Sequence, residues 1–407
     1  MITVVIGTHF GDEGKGKIVD YLARDCHMVV RYNGGNNAGH TIISPRGKLV
    51  LHLIPAGIFN PDCICIIGPG VVIRPGSLYA EMDALSEMGI NLEGRLFISS
   101  RAHIVMPWHL ALDELEDKKK KIGTTRRGIG PTYSDKTARN GIRAGDALLS
   151  GFKKKVREMF NERMEFLKRE YKFTLDEDLN EWLYTEEKIG KYITDTEPII
   201  WNAMECDKNI LLEGAQGTLL DIDFGTFPFV TSSSTTASGA CQGSGIPPMR
   251  IDRVIGVVKA YTTRVGEGPL PTEIKDETGE MLREKGGEYG ATTGRPRRCG
   301  WLDGVLLRYA VKLSGITSLA LTKLDVLSGF GEIKICEAYR RGDKRYTYPP
   351  FSINDVQPVY KILPGWNDIE DNLPQNAFDF IKAIENISGT KVGIVSTGPE
   401  RNATMIL

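Results

Sequence analysis

The chain has 407 residues, 41% of them hydrophobic and 25% charged, with a formal net charge of −1. That balance is ordinary for a folded protein with a large core and argues against a general nucleic-acid binder. Seven scattered cysteines, an odd number with no C-x-x-C pair, exclude a disulfide frame or a zinc site and suit reduced thiols.

In chain order, short β-branched runs alternate with helical patterns. "ITVVI", "MVVRY", "LVLHLI", "CICII" and "LFIS" read as strands. They are followed by "NILLEGA", "VIGVVKAYTTRV", "SLALTKLD", "EIKICEAYR" and "VGIVSTG". Helical patterns cover 78–88, 301–314 and 375–388. Several strands lack polar alternation, as expected when both sheet faces are covered. The fold class is therefore α/β: a mostly parallel central sheet flanked by helices, with helical and loop insertions. A charged helical excursion occupies about 100–200, most marked over 151–195. One domain spanning 1–407 is expected. "TSSSTTASGACQGSG" (231–245) has linker composition but lies between strands, so a ligand-contacting loop is equally compatible. "KKKK" (118–121) reads as a solvated helix face. No apolar run approaches the roughly 18 residues of a membrane span. The N-terminus runs directly into a strand, so no signal peptide is expected and a cytoplasmic location is.

"GDEGKGK" follows the first strand. Gly11, Gly16 and Lys17 match G-x-x-x-x-G-K, a loop whose backbone N–H groups cradle phosphate. Ile18 stands where a hydroxyl commonly holds magnesium, so something else must hold the metal, and an acid in the loop could. Asp12 or Glu13 then reads as metal ligand, general base, or both. The plainer reading is a salt bridge to Lys15 or Lys17.

"NGGNNAGHT" (33–41) follows the second strand and permits close backbone approach to a ligand. His40 at its end suits proton transfer or charge stabilisation. "TKLD" (322–325) ends a later strand. Asp325 would accept both N1–H and N2–H of guanine, a pair adenine lacks, and the stem of Lys323 would cover the base. "GATTGRPRRCGW" (290–301) supplies arginine forks for carboxylates and phosphates. "GTTRRGIGP" (123–131) is similar in make-up, and Gln216 lies just past a strand end.

With "VTSSSTTA", "TRVGEGPLPTE" and "STGPERNATMIL", these blocks resemble the adenylosuccinate synthetase family, in order and over nearly the whole chain. The resemblance implies a P-loop-NTPase-like fold and a ligase of purine (AMP) biosynthesis that joins IMP to L-aspartate. GTP is the co-substrate and one Mg²⁺ is bound per subunit. The route is through 6-phosphoryl-IMP. It implies Asp12 as base and His40 as acid, with Asp12 and the Gly39 carbonyl holding the metal.

The GTP contacts implied are Gly11, Asp12, Glu13, Gly14, Lys15, Gly16, Lys17, Gly39, His40, Thr41, Arg297, Lys323, Leu324, Asp325, Ser396, Thr397 and Gly398. Those to IMP are Asp12, Glu13, Gly14, Lys15, Asn37, Ala38, Gly39, His40, Thr125, Gln216, Thr231 and Arg295, with Arg139 reaching the IMP of the other subunit of a homodimer. The loop Ala291, Thr292, Thr293, Gly294, Arg295, Pro296 and Arg297 would close on L-aspartate. No nucleic acid or membrane partner is implied. Glu13 matches a motif position without an assignable role. Three features depart from the family pattern: His9-Phe10 replaces Gln-Trp, Arg126 stands at a frequent glycine, and 151–195 matches poorly. Two rivals remain. Viral relatives act on a 2-amino purine such as dGMP and lack the base, whereas Asp12 is present here. A GTP-dependent switch would leave the arginine loop unexplained.

Overall fold

A computed structural model describes residues 1–44, 47–175, 179–290, 294–369 and 372–407, with the side chains of 41–48, 181 and 184–187 outside that description. A ten-stranded sheet organises it. In chain order the strands are β1 (Ile2–Gly7), β2 (Met28–Arg31), β3 (Ile64–Ile67), β4 (Leu96–Ser99), β5 (Ile193–Thr194), β6 (Ile210–Glu213), β7 (Arg253–Lys259), β8 (Ser318–Thr322), β9 (Val392–Ser396) and β10 (Thr404–Ile406). Across the sheet they run β10-β9-β8-β7-β1-β6-β2-β3-β4-β5, and every pair is parallel except β9 with β10.

The central strands are apolar on both sides because both faces are covered. Ile2, Val4 and Ile6 of β1 join one hydrophobic cluster while Val5 joins another. Met28 and Val30 of β2 likewise face away from Val29. The period of two is present, but both halves of it are buried. Parallel pairing also puts the strands' carboxyl ends on one edge, where ligands of such sheets gather. The loops after β1, β2, β6, β7, β8 and β9 leave from that edge, and they carry most of the expected site.

Four sequence expectations change. "LVLHLI" does not join the main sheet: Gly47–Leu51 pairs antiparallel with His40–Ser44 as a separate hairpin. "VIGVVKAYTTRV" divides into β7 and a short strand, Thr262–Arg264, paired with Arg298–Gly300. "EIKICEAYR" (Glu332–Arg341) belongs to a smaller sheet, antiparallel to Lys344–Tyr346 and Gln357–Pro364 and parallel to the short strand Leu302–Asp303. The serine- and glycine-rich stretch after Thr231 ends in a helix, Ala237–Ser244. The helices read at 78–88, 301–314 and 375–388 are found at Pro75–Glu87, Gly304–Ser314 and Gln375–Ser388.

The charged excursion is helical, and Phe152–Tyr171 buries only Phe152, Val156 and Leu167. It then returns to the sheet: β5 pairs with Ile98 and Ser99 of β4. Lys118, Lys119 and Lys120 occupy the last turn of the helix Pro107–Lys120, where cations complement the helix dipole. Lys118 and Lys120 also pair with Glu114 and Glu116.

Candidate active site

The loop after β1 enters the helix Lys15–Leu22 through Gly14, whose φ of 89° is open to glycine at little cost. The two acids of this loop part company. Glu13 is buried, and its Oε1 accepts from the backbone N–H of His9 (3.1 Å) and of Gly11 (2.9 Å). Its Oε2 accepts from Lys15 Nζ at 2.7 Å. Burial pushes the Glu13 carboxyl up, but the Lys15 charge and these hydrogen bonds outweigh it and hold it below the usual range. A Cβ on Gly7 or Gly217 would strike this carboxylate, which accounts for glycine at both positions.

Glu13 was expected among the GTP and IMP contacts; its side chain braces the loop. Lys15, expected at the same contacts, spends its amine on Glu13. The salt-bridge reading thus holds for one acid. Asp12 is the exposed one, held at a φ of 58° that non-glycine residues seldom adopt. Gln216 (φ 60°) and Lys323 (φ 57°) share this backbone state at the same sheet edge. Asp12 Oδ2 lies 2.9 Å from Arg297 Nε as an ion pair, although that N–H is not aligned for a hydrogen bond.

Lys17, the phosphate-loop lysine, is turned toward the loop after β9. It donates to Ser396 Oγ (2.6 Å), the Gly398 carbonyl (2.7 Å) and the Ala403 carbonyl (2.9 Å). Burial lowers its pKa to about 8, against the opposing pull of Asp325 and Glu400.

His40 packs directly on the phosphate loop: a Cβ on Gly16 would come within 2.7 Å of the His40 Cβ. Its Nδ1 is 3.0 Å from Oε1 of Glu213, the last residue of β6. Glu213 is fully buried. It also receives the Ala56 N–H at 2.9 Å and Arg31 at 3.5 Å. Burial pushes its pKa up, but His40, Arg31 and the Ala56 N–H outweigh it and hold the pKa below the usual range. The sequence marked His40 and missed this carboxylate, which orients the ring.

Asn37 and Gln216, both expected at IMP, meet: Gln216 Nε2 donates to Asn37 Oδ1 at 3.1 Å, while Gln216 Oε1 is buried without a protein partner. Thr125 is exposed, in a loop held by Asp117, whose Oδ1 accepts from the N–H groups of Gly123 and Thr124. Thr231 is half-buried, its N–H bonded to the Leu220 carbonyl. Asp325 is half-buried just beyond β8, and burial raises its carboxyl pKa.

The arginines of 295–298 have three fates. Arg295 is exposed, and Arg297 enters the site. Arg298 forks onto Glu273 with two bonds of 2.7 Å. Ala291, Thr292 and Thr293 lie outside the described residues, as does the Thr41 side chain. Arg139 caps the helix Ile129–Ala138 in the left-handed region and is exposed.

A second carboxylate escaped the sequence reading. Glu288 is buried and accepts from Lys259 (2.9 Å), Lys323 (3.0 Å) and Tyr261 (2.5 Å) on Oε1, and from Arg297 (2.7 Å) on Oε2. Burial opposes its ionisation, but the surrounding cations hold it far below the usual carboxylate range. Its only sequence signal was its place two residues before the arginine-rich block.

The departures His9 and Phe10 point inward. His9 Nε2 donates to the Asp303 carbonyl at 2.9 Å. Phe10 is buried with Leu219, Leu270 and Val305, under the Arg264 guanidinium 4.3 Å from its ring centre.

A parallel sheet whose carboxyl edge carries a glycine-rich loop of phosphate-binding pattern, an oriented histidine and a half-buried aspartate is the architecture of a nucleotide-dependent α/β enzyme. The family model described as adenylosuccinate synthetase matches residues 4–405. An adenylosuccinate synthetase from Thermodesulfovibrio yellowstonii is 50% identical over 99% of this chain and 98% of its own. One from Syntrophomonas wolfei is 51% identical over the same shares. The solved structure of fully ligated adenylosuccinate synthetase from Plasmodium falciparum superposes with a TM-score of 0.94 at 39% identity, covering 100% of this chain and 99% of that one. The chain belongs to the adenylosuccinate synthetase family. It is a ligase that joins IMP and L-aspartate with GTP as co-substrate. The succinoaminodeoxyadenylate synthetase of cyanophage S-2L, solved with dGMP and dATP, shares the fold at 20% identity and a TM-score of 0.67, over 100% of this chain and 95% of that one. Among the described residues no helix is long and apolar enough to cross a membrane.

Proposed function

We propose that Asp12 is the general base of the ligation and His40 its acid. Asp12 takes the N1 proton of IMP, and O6 then attacks the γ-phosphorus of GTP. The bond from that phosphorus to the β,γ-bridging oxygen breaks, with His40 steadying charge on the departing GDP. The amine of L-aspartate next adds at C6, and phosphate leaves with the electrons of the C6–O6 bond. The observation that carries this reading is the division of labour in "DEGKGK": Glu13 is spent inside the loop, leaving Asp12 as its ligand-facing carboxylate.

IMP would be read by Asn37, Gln216, Thr125, Thr231 and Arg295. Asp325 and Lys323 would read guanine, Lys17 the phosphates, and 291–297 the L-aspartate. The described residues include no cluster of three or more His, Cys, Asp or Glu that would cage a metal. The single exposed carboxylate of the loop, Asp12, fits Mg²⁺, which commonly takes one or two carboxylates with waters and substrate phosphate oxygens. Asp12 and the Gly39 carbonyl would hold it, and when bound it would neutralise phosphate charge. The proposed assembly is a homodimer in which Arg139, exposed at the end of its helix, would reach the partner's IMP. A cytoplasmic location fits the reduced cysteines.

The direct test mixes protein, GTP, Mg²⁺, IMP and L-aspartate and follows adenylosuccinate absorbance, with dGMP replacing IMP and ATP replacing GTP in parallel. Product from IMP and GTP alone is expected. Equal turnover with dGMP would move the substrate assignment, and equal turnover with ATP would remove Asp325 as the guanine reader.

A second expectation concerns Lys17. Its lowered pKa means that the folded protein binds fewer protons than the unfolded chain between about 8 and 10.5, so this group's contribution to stability rises with pH across that window. Phosphate charge beside the amine would raise its pKa again. GTP binding at pH 8 should therefore take up about half a proton, falling toward zero near pH 6.5. Calorimetry in buffers of different ionisation enthalpy reads this directly, and Lys17→Met should abolish the uptake.

A further inference from the structure

Glu288 is bonded to three cations, and two of them serve different parts of the proposed site: Lys323 is assigned to GTP alone, Arg297 to both GTP and the L-aspartate loop. Lys323 ends the strand that reads guanine, and Arg297 ends the loop assigned to L-aspartate. Lys259 stands between them at the end of β7, fully buried, with Thr263 Oγ as its other partner at 2.7 Å. The Glu288 backbone takes part too, since its carbonyl accepts the Arg297 N–H at 2.8 Å. The two carboxylate oxygens divide the work. Oε1 gathers the lysines and Tyr261, whereas Oε2 alone holds Arg297, whose other edge lies against Asp12. A single rigid, buried group thus fixes the distance between the guanine-reading strand and the arginine beside the base.

We infer that Glu288 is a positioning residue that couples the GTP site to the L-aspartate loop, by holding Lys323 through one carboxylate oxygen and Arg297 through the other. Both of its oxygens are taken up by protein partners, so it acts on the substrates through them. The inference rests on the assignment of Lys323 to GTP and of Arg297 to the L-aspartate loop. Its function follows from having two equivalent acceptor oxygens. Glutamine keeps the shape but has one acceptor and one amide donor, so it can satisfy the lysines or Arg297, never both. Charge-assisted bonds to carboxylates are the strong ones, and a buried group left facing a like donor loses more than the bond itself.

The test is Glu288→Gln in the full-length enzyme, with KM measured separately for the three substrates. KM for both GTP and L-aspartate should rise by about tenfold or more, matching the loss of one charged hydrogen bond. KM for IMP should rise less than either, because Asn37 and Gln216 do not depend on this carboxylate and only Asp12 is reached through Arg297. Glu288→Asp, which restores two charged oxygens on a shorter stem, should recover part of both losses. It carries the same test if the glutamine variant fails to fold. A folding defect alone would lower kcat or the amount of active enzyme without separating the three KM values. Uniform changes in all three, or a change in GTP alone, would overturn the inference. Arg297→Met serves as the control on the assignment. If it leaves KM for L-aspartate unchanged, the site reading fails and the inference with it. If it raises that KM while Glu288→Gln does not, only the coupling role is overturned.

Discussion

Asp12→Asn should lower kcat by about 10² to 10⁴, the span usual for loss of a general base. Binding of IMP and GTP, followed by calorimetry, should largely survive, because the backbone N–H groups of the loop and the neighbouring lysines are untouched. The asparagine keeps the size of the side chain and its tolerance of the left-handed backbone at this position, so the loop itself should not reorganise. What it loses is the ability to take a proton and the charge that faces Arg297. An asparagine variant with near-normal turnover would sink the assignment. Glu13 would be a poor substitute even then, since both of its oxygens are committed inside the loop. A bound water would be the remaining base.

The second large effect is expected at Glu213. Alanine there removes the carboxylate that Arg31 and His40 share at this buried point, and leaves the Ala56 N–H without its acceptor. Breaking a buried ion pair from one side costs about 3–5 kcal/mol, so Glu213→Ala should melt well below the parent in a thermal scan. Glu213→Gln retains an acceptor for Ala56 and should lose less stability. It should still lose turnover, because His40 is no longer oriented by a carboxylate. The pH dependence follows from the lowered carboxyl pKa. The stabilisation is complete above the unfolded value of about 4.5 and is lost as pH falls through the lower folded value. A parent enzyme whose margin over the alanine variant narrowed progressively as pH fell below about 4.5 would agree. An alanine variant as stable as the parent would show that the pair contributes nothing.

The central strands were legible because their residues are apolar, β-branched and bounded by glycine, a pattern that needs no knowledge of partners. β5 and β10 were not, because two or three residues carry no readable period. The hairpin His40–Leu51 resembles a sheet strand in composition, and only pairing distinguishes them. The site divides in the same way. Asp12, His40 and Lys17 announce themselves through local motifs. Glu213 and Glu288 act through side chains brought in from elsewhere: the Ala56 N–H that Glu213 accepts is 157 positions away, and Arg31 is 182 away. A carboxylate whose meaning lies in its neighbours is invisible until the chain has folded. The same holds for Glu13, whose motif position suggested a ligand contact and whose geometry gives it an internal task.

The tethering of Lys17 changes how nucleotide entry should be pictured. Its amine already has three oxygen partners, from Ser396, Gly398 and Ala403, before any phosphate arrives. Nucleotide binding at this lysine is therefore an exchange reaction, with the segment after β9 as the internal leaving group. The apparent affinity is the intrinsic one multiplied by the fraction of molecules in which that segment is released. A nucleoside diphosphate and a triphosphate would differ less in their static contacts than in whether they can complete the exchange.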